Sequence, residues 1–347
     1  MPGSLSALPV LELEGLSKSF GPVRAVLDVS FQVRAGTAFG VIGPNGAGKT
    51  TTLRMILNIL EPDAGRVLFL GRPARELPRR SFGYLPEEHG LYPRMPVREQ
   101  LAFFGRLAGL PPGEAQRRAD AWIERLGLEP WANKPAQTLS KGNAQKAQLA
   151  TALLHEPELI ILDEPFSGLD PVNVDLLKSV IREQVAAGRT LLFSSHRMEH
   201  VEELCEGVCL IAAGRAVLAG PVRRVKEADG RRTLRLAFAE AGEDGEPVQG
   251  GRGRALYEAV ARELGLSVSR RGVDYWEYLL EPGRPVEPGP LLDRIRTFGT
   301  PLRFEIGLPS LERIYIDRVE SLQAEPGESP APAPARAGVR RGKEAGA

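Results

Sequence analysis

The stretch TAFGVIGPNGAGKT, residues 37–50, decides the fold. Its first half, TAFGVIG, is apolar and reads as a buried strand that ends in a glycine-rich turn. Its second half, GPNGAGKT at 43–50, matches G-x-x-x-x-G-K-[ST], and residues 49–60 continue as a helix. Strand, glycine-rich loop and helix in that order form a phosphate-binding loop. Glycines let backbone N–H groups face an anion without Cβ obstruction, and the helix N-terminus adds favourable partial charge. Gly43, Pro44, Asn45, Gly46, Ala47 and Gly48 line the cradle, and Thr50 and Thr51 open the helix. Lys49 is placed for the terminal phosphates, and the Thr50 hydroxyl for Mg²⁺. The dinucleotide pattern G-x-G-x-x-G does not occur here.

Working outward, strands alternate with helices. Residues 10–20 and 26–34 alternate like strands; 96–109, 112–126 and 140–154 carry helical periodicity. ELIILDEP is a buried strand, 172–187 a helix, TLLFSS a strand, 197–204 a helix, and GVCLIA and AVLAG strands. That pattern predicts an α/β fold with a mostly parallel, helix-flanked sheet over 10–221 and an all-helical subdomain at about 84–151. Past Pro221 a small α/β domain of βαβαβα type is expected over 222–322. The Gly/Glu-rich stretch 240–253 is a loop within it. The Pro/Ala/Gly/Glu-rich stretch 323–347 is expected to be a disordered tail. No internal repeat occurs.

Composition narrows the function. Lys+Arg number 45 against Asp+Glu 44 in 347 residues, and the basic pairs, such as Arg79-Arg80 and Arg270-Arg271, are scattered. No nucleic-acid partner is expected from such a balance. The two cysteines, Cys205 and Cys209, give no disulfide framework and read as buried thiols. No apolar run approaches the ~20 residues that span a bilayer, and the first residues lack a signal pattern. The expectation is a chain without its own membrane segment, docked on a membrane subunit if it serves a membrane process.

Two further constellations carry chemistry. LIILDEP, 159–165, is a strand ending in Asp163 and Glu164, at the edge where open α/β sheets bind ligands. Asp163 is read as a Mg²⁺ holder and Glu164 as the general base that polarises an attacking water. LSKGN at 139–143 then sets Ser140 as the N-cap of a helix whose free N–H groups face an anion.

With DEPFSGLD at 163–170 and a histidine closing the strand at SSH, these motifs resemble the ATP-binding cassette (ABC) family over about residues 10–220. The resemblance implies a phosphate-loop ATPase with ATP and Mg²⁺, working as a homo- or heterodimer at the cytoplasmic face of the membrane beside a separate multi-span permease. It implies that Ser140, Gly142 and Asn143 meet the ATP of the opposite subunit. It further implies that Asp170 communicates across the dimer, that His196 contacts the γ-phosphate, and that Phe20 stacks on adenine. A strand-core role for Phe20 stays open beside it. The usual signature reads LSGGQ, so Lys141 and Asn143 depart from it. Glu87, in GYLPEEHGLYP, stands where a glutamine normally senses Mg²⁺ and contacts the permease. Glu87 and Lys141 are read as compensating departures. The C-terminal domain resembles, more loosely, the accessory domain of a bacterial exporter subgroup of sodium-extrusion and drug-export ATPases, and carries no catalytic constellation. A soluble ABC ATPase acting on ribosomes or DNA is the alternative; such chains usually carry two cassettes or long coiled-coil insertions, and neither is present. A non-hydrolysing assembly role is disfavoured by the presence of Lys49, Asp163, Glu164 and His196.

Overall fold

The computed structural model describes residues 9–88, 90–239, 252–272, 275–281 and 286–324. In chain order, β1 (Pro9–Phe20) and β2 (Val23–Arg34) form a hairpin, followed by β3 (Ala38–Ile42), α1 (Lys49–Ile56), β4 (Ala64–Phe69), β5 (Arg72–Pro73) and β6 (Phe82–Leu85). Helices α2 (Val97–Leu107), α3 (Pro112–Arg125) and α4 (Lys141–Leu153) come next. They lead into β7 (Leu159–Leu162), α5 (Pro171–Ala186), β8 (Thr190–Ser195), α6 (Met198–Leu204), β9 (Gly207–Ala212) and β10 (Arg215–Pro221).

A six-stranded sheet runs in the order β10-β9-β3-β8-β7-β6, parallel except for the β9–β10 pair. Every residue of β3, β7 and β8 is buried, as expected of parallel strands covered on both faces. The order puts β8 between β3 and β7, so the ends that carry the phosphate loop, His196 and the Asp163–Glu164 pair are neighbours. A second, antiparallel sheet, β2-β1-β4-β5, covers one side.

Helix α1 stops at Ile56, four residues short of the expectation. Asn58 takes φ 51, Asn58 N bonds Met55 O at 3.1 Å and Ile59 N bonds Arg54 O at 3.0 Å. Those two bonds satisfy the last carbonyls in a left-handed helix stop, a role asparagine tolerates. The helical insert shares its core with the main sheet: Leu101, Ile123, Leu149, Ile160 and Leu162 belong to one buried cluster.

Past β10 the chain differs from the βαβαβα expectation. An unpredicted helix, α7 (Val222–Ala228), comes first. Then follow β11 (Arg232–Phe238), α8 (Arg252–Leu264), β12 (Ser267–Arg271), β13 (Trp276–Leu280), α9 (Pro288–Arg296), β14 (Pro301–Gly307) and α10 (Leu311–Ala324). The extra strand is β12, whose sequence SVSRR has a single apolar residue because it is an edge strand with little to bury. All pairings are antiparallel in the order β12-β13-β11-β14, a split βαβ arrangement. Leu234, Leu236, Val260, Tyr278 and Ile295 form its own core. Most of the expected loop at 240–253 and of the expected tail lies outside the described residues; residues 323–324 continue α10.

Cys209 is fully buried in β9, and burial pushes its thiol up to about 12. Among the described residues no helix is long and apolar enough to cross a membrane.

Candidate active site

The phosphate loop leaves β3 with its glycines where side chains cannot fit. A Cβ on Gly43 would stand 2.2 Å from Ile211 O, and one on Gly48 would stand 2.4 Å from Ala25 O. Gly46 and Gly48 take φ 80 and φ 105, left-handed values that favour glycine. Gly48 precedes α1, so the N–H groups of Lys49, Thr50 and Thr51 begin a helix without an acidic residue in its first turn. Lys49 is only 6% exposed. Its Nζ donates to Gly43 O at 2.9 Å and Pro44 O at 3.2 Å, and lies 3.2 Å from Glu164 Oε1.

Glu164 and Asp163 close the neighbouring strand. Glu164 adopts φ 48, an unusual value for a residue with a side chain. Glu164 Oε2 lies 2.9 Å from His196 Nδ1. Lys49, Glu164 and His196 thus form one contact chain across the ends of β3, β7 and β8. Asp163 is 1% exposed; its Oδ1 accepts from Ser194 Oγ at 2.5 Å, while its Oδ2 is buried without a hydrogen-bond partner. A buried carboxylate oxygen with a free lone pair, on the residue before the Glu164 that reaches Lys49 of the phosphate loop, fits a hard divalent cation that takes its remaining ligands from water and substrate. No group of three or more His, Cys, Asp or Glu residues able to hold a metal occurs among the described residues.

Ser194 is the residue that the sequence reading missed. Its hydroxyl donates to Asp163 Oδ1 and accepts from Glu164 N at 2.8 Å, so one buried group orients both carboxylate residues. The available signal was a pair of serines ending an otherwise apolar buried strand, TLLFSS. Ser194→Ala strands a buried carboxylate oxygen and a buried N–H, each worth about 1–3 kcal/mol. The expected result is a loss of about 2–3 kcal/mol in urea unfolding and at least roughly tenfold in ATP turnover; unchanged turnover would show that Asp163 needs no such support.

The signature residues gather elsewhere, against the DEPFSGLD turn. Ser140 caps α4, its Oγ accepting from Asn143 N at 3.3 Å. A Cβ on Gly142 would meet Asn173 Nδ2 at 3.1 Å, and Asn173 N in turn donates to Asp170 Oδ1 at 3.0 Å. These bonds, with that of the Asn173 backbone the strongest, hold the Asp170 carboxyl below its ordinary range. Lys141 is exposed and turned onto its own chain: its Nζ would stand 2.2 Å from a Cβ on Gly168. From α4, Gln145 Nε2 donates to Pro165 O at 3.2 Å and Gln148 Nε2 to Glu88 O at 3.0 Å, tying this helix to both active-site loops.

Phe20 and Glu87 lie at the periphery. Phe20 is 49% exposed at the end of β1, so its ring is not a core residue; Lys18 Nζ lies 6.0 Å from its centroid. Glu87 is exposed on the loop after β6. Tyr84 stands near both Asp163 and Glu87: burial raises its phenol most, and those two carboxylates add to the rise. A cleft of about 1050 Å³ runs between β1, β2, the end of α6 and α7, and contains none of these residues.

Comparison with known proteins agrees with this arrangement. Residues 26–167 match the family model described as ABC transporter. The chain is 38% identical over 310 residues to the ABC transporter ATP-binding protein YhaQ of Bacillus subtilis (strain 168), covering 89% of this chain and 98% of that one. It is 39% identical over 219 residues to the Nod factor export ATP-binding protein I of Ralstonia nicotianae, covering 62% and 68%. Among solved structures, an ATP-binding subunit of an ABC transporter superposes with a TM-score of 0.60 at 33% identity, over 64% of this chain and 93% of that chain. Phosphate loop, carboxylate pair, histidine and signature turn therefore stand on the fold that such proteins share, and the chain belongs to the ABC transporter family as an ATP-binding, ATP-hydrolysing subunit.

Proposed function

We propose that this chain powers an exporter: two copies, or this chain and a related one, close around two ATP molecules and drive a separate membrane permease. In this reading the chain lies peripherally on the cytoplasmic face beside that permease; no described helix is long and apolar enough to cross a membrane itself. The observation that carries the reading is the contact chain Lys49–Glu164–His196 beside the open Oδ2 of Asp163. Export is favoured by the similarity to a Nod factor export ATP-binding protein.

In this reading the phosphates lie on the loop 43–48 and on the N–H groups that open α1. Lys49 neutralises the terminal phosphate. Asp163 and Thr50 would hold Mg²⁺, with Glu87 as a further carboxylate, and the ion would neutralise phosphate charge. A water in line with the γ-phosphorus loses a proton to Glu164 as its oxygen bonds phosphorus. The bond to the bridging oxygen of ADP breaks, and phosphate leaves. His196, held by Glu164, steadies the γ-phosphate. Ser140, Gly142 and Asn143 of the second copy complete the site, with Asp170 at the seam. Purification from membranes with the accompanying permease, followed by ATP-dependent transport in vesicles, tests the whole reading; ATP turnover without any co-purifying membrane protein would overturn the transport part.

Phe20 stacks on adenine. Phe20→Tyr is expected to bind ATP as the parent chain does, and Phe20→Ala to bind more weakly by about 1–3 kcal/mol, measured by calorimetry. Equal affinities for all three would remove the stacking role.

Glu87 and Lys141 are compensating charges in the closed dimer. At about 6 Å and an effective dielectric near 20, each carboxylate repulsion costs roughly 2–3 kcal/mol. Lys141 sits at a helix N-terminus that disfavours a cation, and it needs a partner elsewhere. A double-mutant cycle with Glu87→Gln and Lys141→Gly, read as steady-state turnover over a range of Mg²⁺, is expected to be non-additive, with the double mutant faster than Lys141→Gly. Strict additivity would leave Lys141 with only its contact to Gly168.

A further inference from the structure

Helix α6 begins two residues after His196 and is held from several sides. Against the main sheet it lies at backbone distance from β3: a Cβ on Gly40 would stand 2.5 Å from Val201 Cγ1. His200, 5% exposed, packs on Phe166 with ring centroids 4.5 Å apart, and Phe166 follows Glu164 by two residues. Glu203 pairs with Lys178 and Arg182 of α5. Glu202 serves the C-terminal unit instead. One carboxylate oxygen accepts from Lys226 Nζ of α7 at 2.8 Å, and the other accepts from the backbone N of Leu311, the first residue of α10. Leu311 is fully buried in the same cluster as Met198 and Val201 of α6, and Tyr315, one turn on, packs against that cluster. Arg231, just before β11, pairs with Asp317 of α10 at 2.5 Å.

The Leu311 amide belongs to a first helical turn and has no partner within its helix. A carboxylate there satisfies the donor and opposes the helix dipole. Glu202 therefore ties α6 to α7 and α10 by polar bonds laid over a buried leucine. His196, by contrast, is 47% exposed, and its one side-chain bond is the 2.9 Å contact with Glu164. Its position depends on the backbone between β8 and α6.

We propose that Glu202 is a positioning residue for His196, and that α10 with its sheet is coupled through it to ATP turnover. The proposal rests on the functional reading above. Loosening α10 alters the placement of His196 through α6; and because coupling of binding equilibria is reciprocal, nucleotide at the phosphate loop alters the docking of α10 by the same factor by which that docking alters nucleotide affinity.

Two measurements on the full chain test it. In the first, ATP turnover is followed against ATP concentration for Glu202→Ala and Glu202→Gln. The alanine variant is expected to lose at least about fivefold in kcat, with KM shifting by no more than the factor by which nucleotide alters α10 docking. The glutamine variant, which keeps an oxygen for the Leu311 amide, is expected to recover most of that loss. In the second, hydrogen exchange of the parent chain is compared with and without a non-hydrolysable ATP analogue and Mg²⁺. Exchange in the segment holding Leu311 is expected to change by several fold together with protection of the segment at 43–52. Protection at 43–52 with no change at Leu311 overturns this inference alone, and no protection at 43–52 overturns the nucleotide reading itself. An alanine variant with unaltered kcat also overturns the inference. If that variant does not fold, the exchange measurement on the parent chain decides.

Discussion

Glu164→Gln is expected to lower ATP turnover by about 10²–10⁴-fold, the range typical of losing a general base, while ATP binding persists. The geometry explains the separation. Glu164 is 7% exposed with one oxygen 3.2 Å from Lys49 and the other 2.9 Å from His196. Glutamine fits the same space, turning its carbonyl oxygen to Lys49 and its amide to the imidazole nitrogen. Shape and contacts survive, and the proton acceptor does not. In the proposed cycle, where closure needs nucleotide and opening needs hydrolysis, the variant is expected to elute as a dimer on gel filtration in Mg·ATP. Single-turnover kinetics separates the chemical step from binding; turnover near that of the parent chain would remove the assignment.

Lys49→Ala tests the same pair from the other side. It abolishes ATP binding in this reading, but its effect on stability is the more telling result. Lys49 and Glu164 are 6% and 7% exposed, and removing one partner of a buried pair leaves an uncompensated charge. The cost expected is about 3 kcal/mol in urea unfolding, the low end for such pairs, because Glu164 keeps its 2.9 Å contact with His196. Lys49→Ala with Glu164→Gln in one chain is expected to regain most of that stability and none of the ATP binding. A double-mutant cycle on stability gives the coupling directly. If the single and double variants unfold at the same urea concentration, Glu164 is protonated or hydrated in the parent chain and the pair is not ionic.

Much of this was legible before any coordinates, for a physical reason. The phosphate loop and the LIILDEP strand are local: strand, turn and helix are set by contiguous residues, and the chemistry sits on the turn. The adjacency of β3, β8 and β7 was not legible, since strand order is a long-range property. With it went Ser194, whose role depends on lying between two other strand ends. Phe20 was ambiguous because an aromatic near a strand end has the same sequence appearance in a core and at a rim; its exposure separates the two. Strand β12 and helix α7 escaped because neither shows a clear apolar period: SVSRR is a half-exposed edge, and VRRVKEA buries only Val225. The second partner of α6 was invisible for a similar reason, because Glu202 and Leu311 are 109 residues apart.

The buried cluster that runs from α2, α3 and α4 into β7 also bears on how the molecule comes apart. Leu101 and Ile123 of the insert share their contacts with Ile160 and Leu162 of the sheet, so neither layer can lose its packing without exposing the other. The insert and the sheet therefore melt in one cooperative step. The split βαβ unit, centred on Leu236 and Tyr278, keeps its apolar surface to itself and meets the rest through α10. On heating, the chain divides its unfolding at that meeting place rather than at the boundary of the helical insert.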